Sequence, residues 1–206
     1  MRPERLQKIL QLAKQRQLDL TVVLENVHDP HNISAVMRTC DAVGICDVYI
    51  LNTDPVLKTR RFKPGKRTSS GSRKWVRVHM YADLNACFAE IRKQYGRIFA
   101  THLDSSLPAH FDIDLASPLA LVFGNEHTGV SEEARAHSDG ALCIPQVGMV
   151  DSLNISVACA VVLYEANRQR EARNMYVENA TGSDAVYNRL LDDYLGDEAD
   201  AYKRRS

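Results

Sequence analysis

No G-x-G-x-x-G turn occurs in the chain, and after the first apolar strand the sequence runs Glu25-Asn26-Val27 instead. That absence excludes the glycine-rich approach of backbone to pyrophosphate and argues against a conventional Rossmann methyltransferase. A P-loop is excluded too: Gly124-Asn125-Glu126-His127-Thr128-Gly129 has Walker-like glycine spacing but continues Val130-Ser131 where Lys-Ser/Thr is required. No stretch approaches the ~18 apolar residues of a membrane span, and the N-terminus has no apolar signal core, so a soluble cytoplasmic protein is expected. Cysteine is scarce and odd in number, with Cys40, Cys46, Cys87, Cys143 and Cys159 forming no C-x-x-C pair. Reduced thiols are expected rather than disulfides or zinc, and no metal site is expected. In that setting the sequons at Asn32, Asn154 and Asn179 carry no information.

At 206 residues and 45% apolar composition, the chain fits one compact core with short terminal extensions. Net charge is zero, but residues 1–77 carry 15 Lys/Arg against 7 Asp/Glu while residues 78–206 carry 11 against 19. A neutral total therefore conceals a basic half. Periodicity predicts helices over Pro3–Gln17, Asn32–Val43 (closed by Gly44), Leu84–Tyr95, Ser131–His137, Leu153–Arg173 and around Asp184–Leu195. It predicts strands at Leu20–Glu25, Asp47–Leu51, Val76–Met80, Arg97–His102, Leu119–Phe123 and Ala141–Ile144. Short apolar strands alternating with helices favour an α/β fold with a mainly parallel sheet.

Three segments stand apart. The first reads Asn26-x-His28-x-Pro30-His31-Asn32-x-Ser34-Ala35-x-x-Arg38, the second Phe123-Gly124-x-Glu126-x-x-Gly129-Val130, and the third runs from Ile144-Pro145 through Gly148-Met149-Val150 to Ser152-Leu153-Asn154-x-Ser156-Val157-Ala158. In the third, an apolar strand breaks at proline and enters an apolar helix, whose free N–H groups and positive dipole end can hold polar ligand atoms. The same local pattern also suits a buried connection capped by Ser152 or Asn154. In the first, Ile33, Val36, Met37, Cys40 and Val43 form one apolar stripe, which turns Arg38 away from the core.

Taken in this order, the segments resemble the SPOUT class of RNA ribose methyltransferases, most closely its TrmH branch. The stretch Arg16-Gln17-Leu18-Asp19-Leu20-Thr21-Val22 after an N-terminal helix further resembles enzymes that methylate a D-loop guanosine of tRNA. The resemblance implies a C-terminal deep trefoil knot, an exception to the rule that folds avoid threading. It implies S-adenosyl-L-methionine as cofactor, contacted by Thr101, Gly124, Ile144, Met149, Ser152 and Leu153. It places Arg38, Asn32, Glu126 and Asn154 in the catalytic site. It implies a SPOUT domain over 19–173, flanked by an N-terminal helical extension (1–18) and a C-terminal extension (174–206). It also implies a homodimer with the helix over Asn154–Arg173 near the interface, which agrees with the stretch Leu153–Ala166, whose almost wholly apolar surface must be covered all round.

Between Asp54 and Asp83 there is no acidic residue, while Lys58, Arg60, Arg61, Lys63, Lys66, Arg67, Arg73, Lys74 and Arg77 supply nine positive charges. Such density points to phosphate contacts, with Arg60, Arg61, Lys63, Lys66 and Arg67 as the RNA-binding candidates. The N-terminal helix with Arg2, Arg5, Lys8, Lys14 and Arg16 favours tRNA, with guanosine 18 as the target. A ribosomal RNA or wobble-nucleotide ribose methyltransferase shares the same motifs, and a non-catalytic RNA-binding protein of this fold would differ in lacking tight cofactor binding.

Overall fold

The computed structural model describes residues 1–58, 74–177, 184–196, 199 and 202. Helices α1 (Pro3–Lys14), α2 (Pro30–Ala42), α3 (Pro55–Lys58), α4 (Leu84–Ile91), α5 (Glu132–Ala136), α6 (Ile155–Ala172) and α7 (Asp184–Leu195) surround strands β1 (Leu20–Glu25), β2 (Asp47–Leu51), β3 (Arg77–Tyr81), β4 (Arg97–Thr101), β5 (Leu119–Phe123) and β6 (Gly140–Leu142). The strands form one sheet in the order β3-β2-β1-β5-β4-β6, and every pairing is parallel. The α/β reading is therefore met. Residues Leu20 to Glu25 are buried throughout, as expected of a central strand covered on both faces.

Alternation along β1 sorts the core. Leu20, Val22 and Leu24 face Ile33, Val36, Met37 and Cys40 of α2 and Cys159, Val162 and Leu163 of α6. Val23 faces the opposite layer, with Leu84, Phe88 and Ile91 of α4 and Ala134 of α5. The chain turns outward from β1 through β2 to β3, then returns on the other side, which makes the β1/β5 boundary a switch point. In open parallel sheets, ligands bind at the carboxyl ends of strands at such a point. All three motif segments leave the sheet at that end.

Helix α2 begins two residues before the predicted start because Asp29 caps it, its Oδ1 accepting from the His31 N–H at 2.8 Å with Pro30 in the first turn. Its end falls as predicted. Gly44 takes φ +87° and a side chain there would collide with the Gln15 carbonyl, so only glycine closes this helix.

Terminal helices α1 and α7 pack on each other through Ile9, Ala13, Leu190, Leu191, Tyr194 and Leu195. Arg16 corrects the sequence reading. Expected among the RNA-facing charges of the first helix, its side chain is instead fully buried and bonds Tyr194 Oη at 2.8 Å, Asp41 Oδ1 at 2.8 Å and the carbonyls of Ile45 and Trp75. Desolvating a guanidinium is tolerable only when its donors are matched in this way, so Arg16 fastens α1 to the sheet. Arg77 is likewise committed, as a two-point pair with Asp47 (both contacts 2.9 Å).

Asp47 also receives the His79 ring at 2.7 Å. Burial alone would push the Asp47 carboxyl up, but the bonds from His79 and Arg77 outweigh it and hold the group well below the usual carboxylate range. A carboxyl held down in the folded state contributes stability above its unfolded value of about 3.9, and that contribution is lost as pH falls below it. Asp47→Asn is expected to cost about 2 kcal/mol at neutral pH. In urea titrations the deficit should narrow between pH 7 and pH 3; a deficit equal at both would contradict the assignment.

All five cysteines are buried and free. Burial pushes the Cys46 and Cys87 thiols up to about 12, which leaves them unreactive. No group of side chains suited to a metal ion occurs among the described residues, and no helix among them is long and apolar enough to cross a membrane.

Candidate active site

Motif residues more than ninety positions apart in sequence meet at the carboxyl end of the sheet. Asn32, in the first turn of α2, donates through Nδ2 to Glu126 Oε1. Its Oδ1 accepts from Asn154 Nδ2 at 3.2 Å. Asn154 is the N-cap of α6, its Oδ1 accepting from the Ser156 N–H at 2.9 Å and the Ser156 hydroxyl at 2.6 Å. Asn154 rather than Ser152 is therefore the cap, and one amide both starts the helix and reaches across to another motif. Asn32 is the centre of these contacts because its amide offers a donor and an acceptor at once.

Beside the chain opens a cleft lined by Thr101, Gly124, Glu126, Ile144, Ser152 and Leu153, together with His102 and neighbouring residues. Five of the six residues expected at a cofactor are thus brought together. Met149 is not: it stands 99% exposed on the loop between Ile144 and Asn154, outside the lining, with Val147 and Val150 also exposed. Gly124 is required by the loop itself. A Cβ there would run into the Gly129 carbonyl, because residues 125–130 fold back over it. Asn125 holds that turn, its Oδ1 accepting from the N–H groups of His127 and Thr128 at 2.8 and 2.9 Å.

Arg38 is exposed on the face of α2 away from the core, and among the described residues it has no hydrogen-bond or ion-pair partner. It shares a helix face with His31 and Ala35, and its Cα–Cβ bond tilts toward the end of α2 that meets the cleft. Arg60, Arg61, Lys63, Lys66 and Arg67 lie outside the described residues.

Sequence reasoning missed two positioning groups. Glu25, buried at the end of β1, accepts from the Ser131 N–H at 2.8 Å and hydroxyl at 2.6 Å, and so fixes the start of α5 beside the second motif. A carboxylate closing an apolar strand was the available signal. Arg170, fully buried, bonds Asp19 at 2.6 Å, Gln17 at 2.9 Å and the carbonyls of Leu115 and Ser117, pinning the end of α6 to the segment that enters β5.

Residues 19–164, most of the chain, match the SpoU rRNA methylase family. The chain belongs to that family. The solved Aquifex aeolicus TrmH/SpoU tRNA modifying enzyme superposes with a TM-score of 0.85 at 34% identity, covering 95% of this chain and 96% of that one. The fold is accordingly that of the SpoU/TrmH structures, the knotted SPOUT fold, as the motif resemblance implied. The tRNA (guanosine(18)-2'-O)-methyltransferase of Thermus thermophilus is 42% identical over 191 residues, 93% of this chain and 95% of its own. An AdoMet-bound rRNA methyltransferase from Sinorhizobium meliloti matches with a TM-score of 0.63 at 28% identity, covering 77% of this chain and 59% of that one. SpoU methyltransferases thus use S-adenosylmethionine.

Proposed function

We propose that this chain transfers a methyl group from S-adenosylmethionine to the ribose 2′-hydroxyl of guanosine 18 in tRNA. The observation that carries the reading is the Glu126–Asn32–Asn154 chain at the mouth of one cleft, in a protein 42% identical over nearly its whole length to an enzyme of that activity. The cleft suits the cofactor. Ile144 and Leu153 are half-buried apolar walls for a flat base, Thr101 and Ser152 offer hydroxyls, and among the described residues Glu126 is the single carboxylate in a lining without Lys or Arg, which favours a cationic sulfonium. Folding of the 145–152 loop over bound cofactor would bring Met149 into contact.

The cofactor supplies an already activated methyl group and its leaving group, so the protein's task is alignment. Asn32, held from both sides, fixes the start of α2 against the cleft. Arg38 projects from that helix as a two-point clamp for a substrate phosphate, which sets the ribose hydroxyl in line with the methyl carbon. A general-base role suits it poorly, because a guanidinium keeps its proton far above neutral pH. Labelled methyl transfer to a tRNA transcript, compared with the same tRNA bearing 2′-deoxyguanosine at position 18, tests the reading: the first should accept label and the second should not. Equal labelling of both would place the target elsewhere.

The basic segment is proposed as the tRNA contact, minus Arg77, which Asp47 holds. Replacing Arg60, Arg61 and Lys63 with alanine should weaken tRNA binding, lower the log–log salt slope by about 0.7–0.9 per lost phosphate contact and leave cofactor affinity unchanged. An unchanged slope would contradict the phosphate contacts.

We further propose a homodimer through the outer face of α6. Ile155, Cys159, Val162, Leu163 and Ala166 are buried within one chain, yet Val157 and Tyr164 remain 47% and 56% exposed, so the all-round cover an apolar helix needs is incomplete in a single copy. Sedimentation at micromolar concentration should give a dimer mass, and Tyr164→Arg should shift it toward monomer; a wild-type monomer would contradict this. The chain's extensions are proposed as 1–18 and 174–206, with α1 of the first and α7 of the second acting as one layer, supported by their packing.

A further inference from the structure

His102 follows the last residue of β4 and lines the cleft, with its backbone N–H bonded to the Leu142 carbonyl at 2.9 Å, two residues before Ile144. Its ring Nε2 lies 3.1 Å from an Nη of Arg135 on α5. A guanidinium carries donors only, so Nε2 must be the acceptor and the single proton of the neutral ring sits on Nδ1. That contact is the one hydrogen bond of the Arg135 side chain among the described residues; its Nε is buried without a partner, and no carboxylate pairs with it. A purely structural arginine would be matched as Arg16 and Arg170 are, with four or more acceptors. Arg135 instead gives one Nη donor to a ring at the cleft wall.

We infer that His102 is a recognition residue for the nucleoside half of the cofactor, donating from Nδ1 to an acceptor atom of the adenine or ribose, with Arg135 as the positioning residue that fixes its tautomer. The inference rests on the cleft being the S-adenosylmethionine site. The nucleoside half is favoured over the amino-acid half because His102 is tied through Leu142 to the strand that delivers Ile144, one wall of the apolar slot. An aminocarboxylate favours cationic lining, and no Lys or Arg lines this cleft among the described residues.

The test uses calorimetric titrations of the full chain with S-adenosylhomocysteine and with 5′-methylthioadenosine, which lacks the amino-acid group. In His102→Asn the amide nitrogen stands near the position of Nδ1 and keeps a donor there; in His102→Gln it stands near Nε2 and the Nδ1 donor is lost. Loss of one directed hydrogen bond in a half-buried site predicts about tenfold weaker binding of both ligands by the Gln variant, while the Asn variant stays within about threefold of wild type. Nitrogen-15 spectra of ring-labelled protein should show the Nδ1–H tautomer in wild type and a mixture of tautomers in Arg135→Met. An Nε2–H tautomer in wild type, or a Gln variant binding both ligands normally, would overturn the inference. Weakening confined to S-adenosylhomocysteine would overturn the nucleoside assignment. If wild-type protein binds neither ligand, the cofactor reading of the cleft fails first, and the tautomer spectrum still reports on the Arg135 contact independently.

Discussion

Arg38→Ala is expected to lower kcat for tRNA methylation by at least about a hundredfold, the scale of losing a positioning contact that matters most in the transition state, while cofactor affinity and melting temperature stay near wild type. The separation follows from the two faces of α2. Ile33, Val36, Met37 and Cys40 bury the helix against the sheet, whereas Arg38 is exposed and carries no structural bond among the described residues. Removing its side chain therefore leaves no cavity and no orphaned partner. Arg38→Lys keeps the charge but loses the planar two-point fork, so it should remain severely impaired. An alanine variant with most of its activity would remove Arg38 from the site.

Leu153→Arg should abolish cofactor binding, with a loss of at least about a hundredfold, because it drives bulk and charge into the proposed base slot against a cationic ligand. The fold should survive, since Leu153 lies half-buried in the loop before α6 and outside the main core cluster. Calorimetry with S-adenosylmethionine together with a thermal melt separates the two effects. Retained affinity in a folded variant would move the base slot away from Ile144 and Leu153.

The frame of the molecule was readable from pattern alone. Strands Leu20–Glu25, Asp47–Leu51 and Leu119–Phe123 fall where unbroken apolar runs put them, and the stripe from Ile33 to Cys40 faces the core as its spacing requires. Boundaries slipped where capping decides them: Asp29 with Pro30 starts α2 early, and Asn154 delays α6 to Ile155. Polar contacts across the fold were not readable. Nothing local in the sequence says that Asn32 will stand between Glu126 and Asn154, because that meeting depends on strand order. Charge was misleading for the same reason. Arg16 looked like a phosphate contact and proved to be a buried tie between α1, Asp41 and Tyr194. Arg170 could have been found, since Cys159, Leu163, Ala166 and Arg170 repeat at four, three and four residues and so share the buried stripe.

The central claim concerns one hydroxyl on one nucleotide. Mapping ribose methylation across total RNA from cells with and without the gene tests it most directly, because every ribose competes on equal terms. The account predicts 2′-O-methylation at guanosine 18 in the parent, its loss in the deletion and its return with the wild-type gene but not with Arg38→Ala. Unaltered methylation at guanosine 18, with loss instead at a ribosomal or wobble nucleotide, would contradict it.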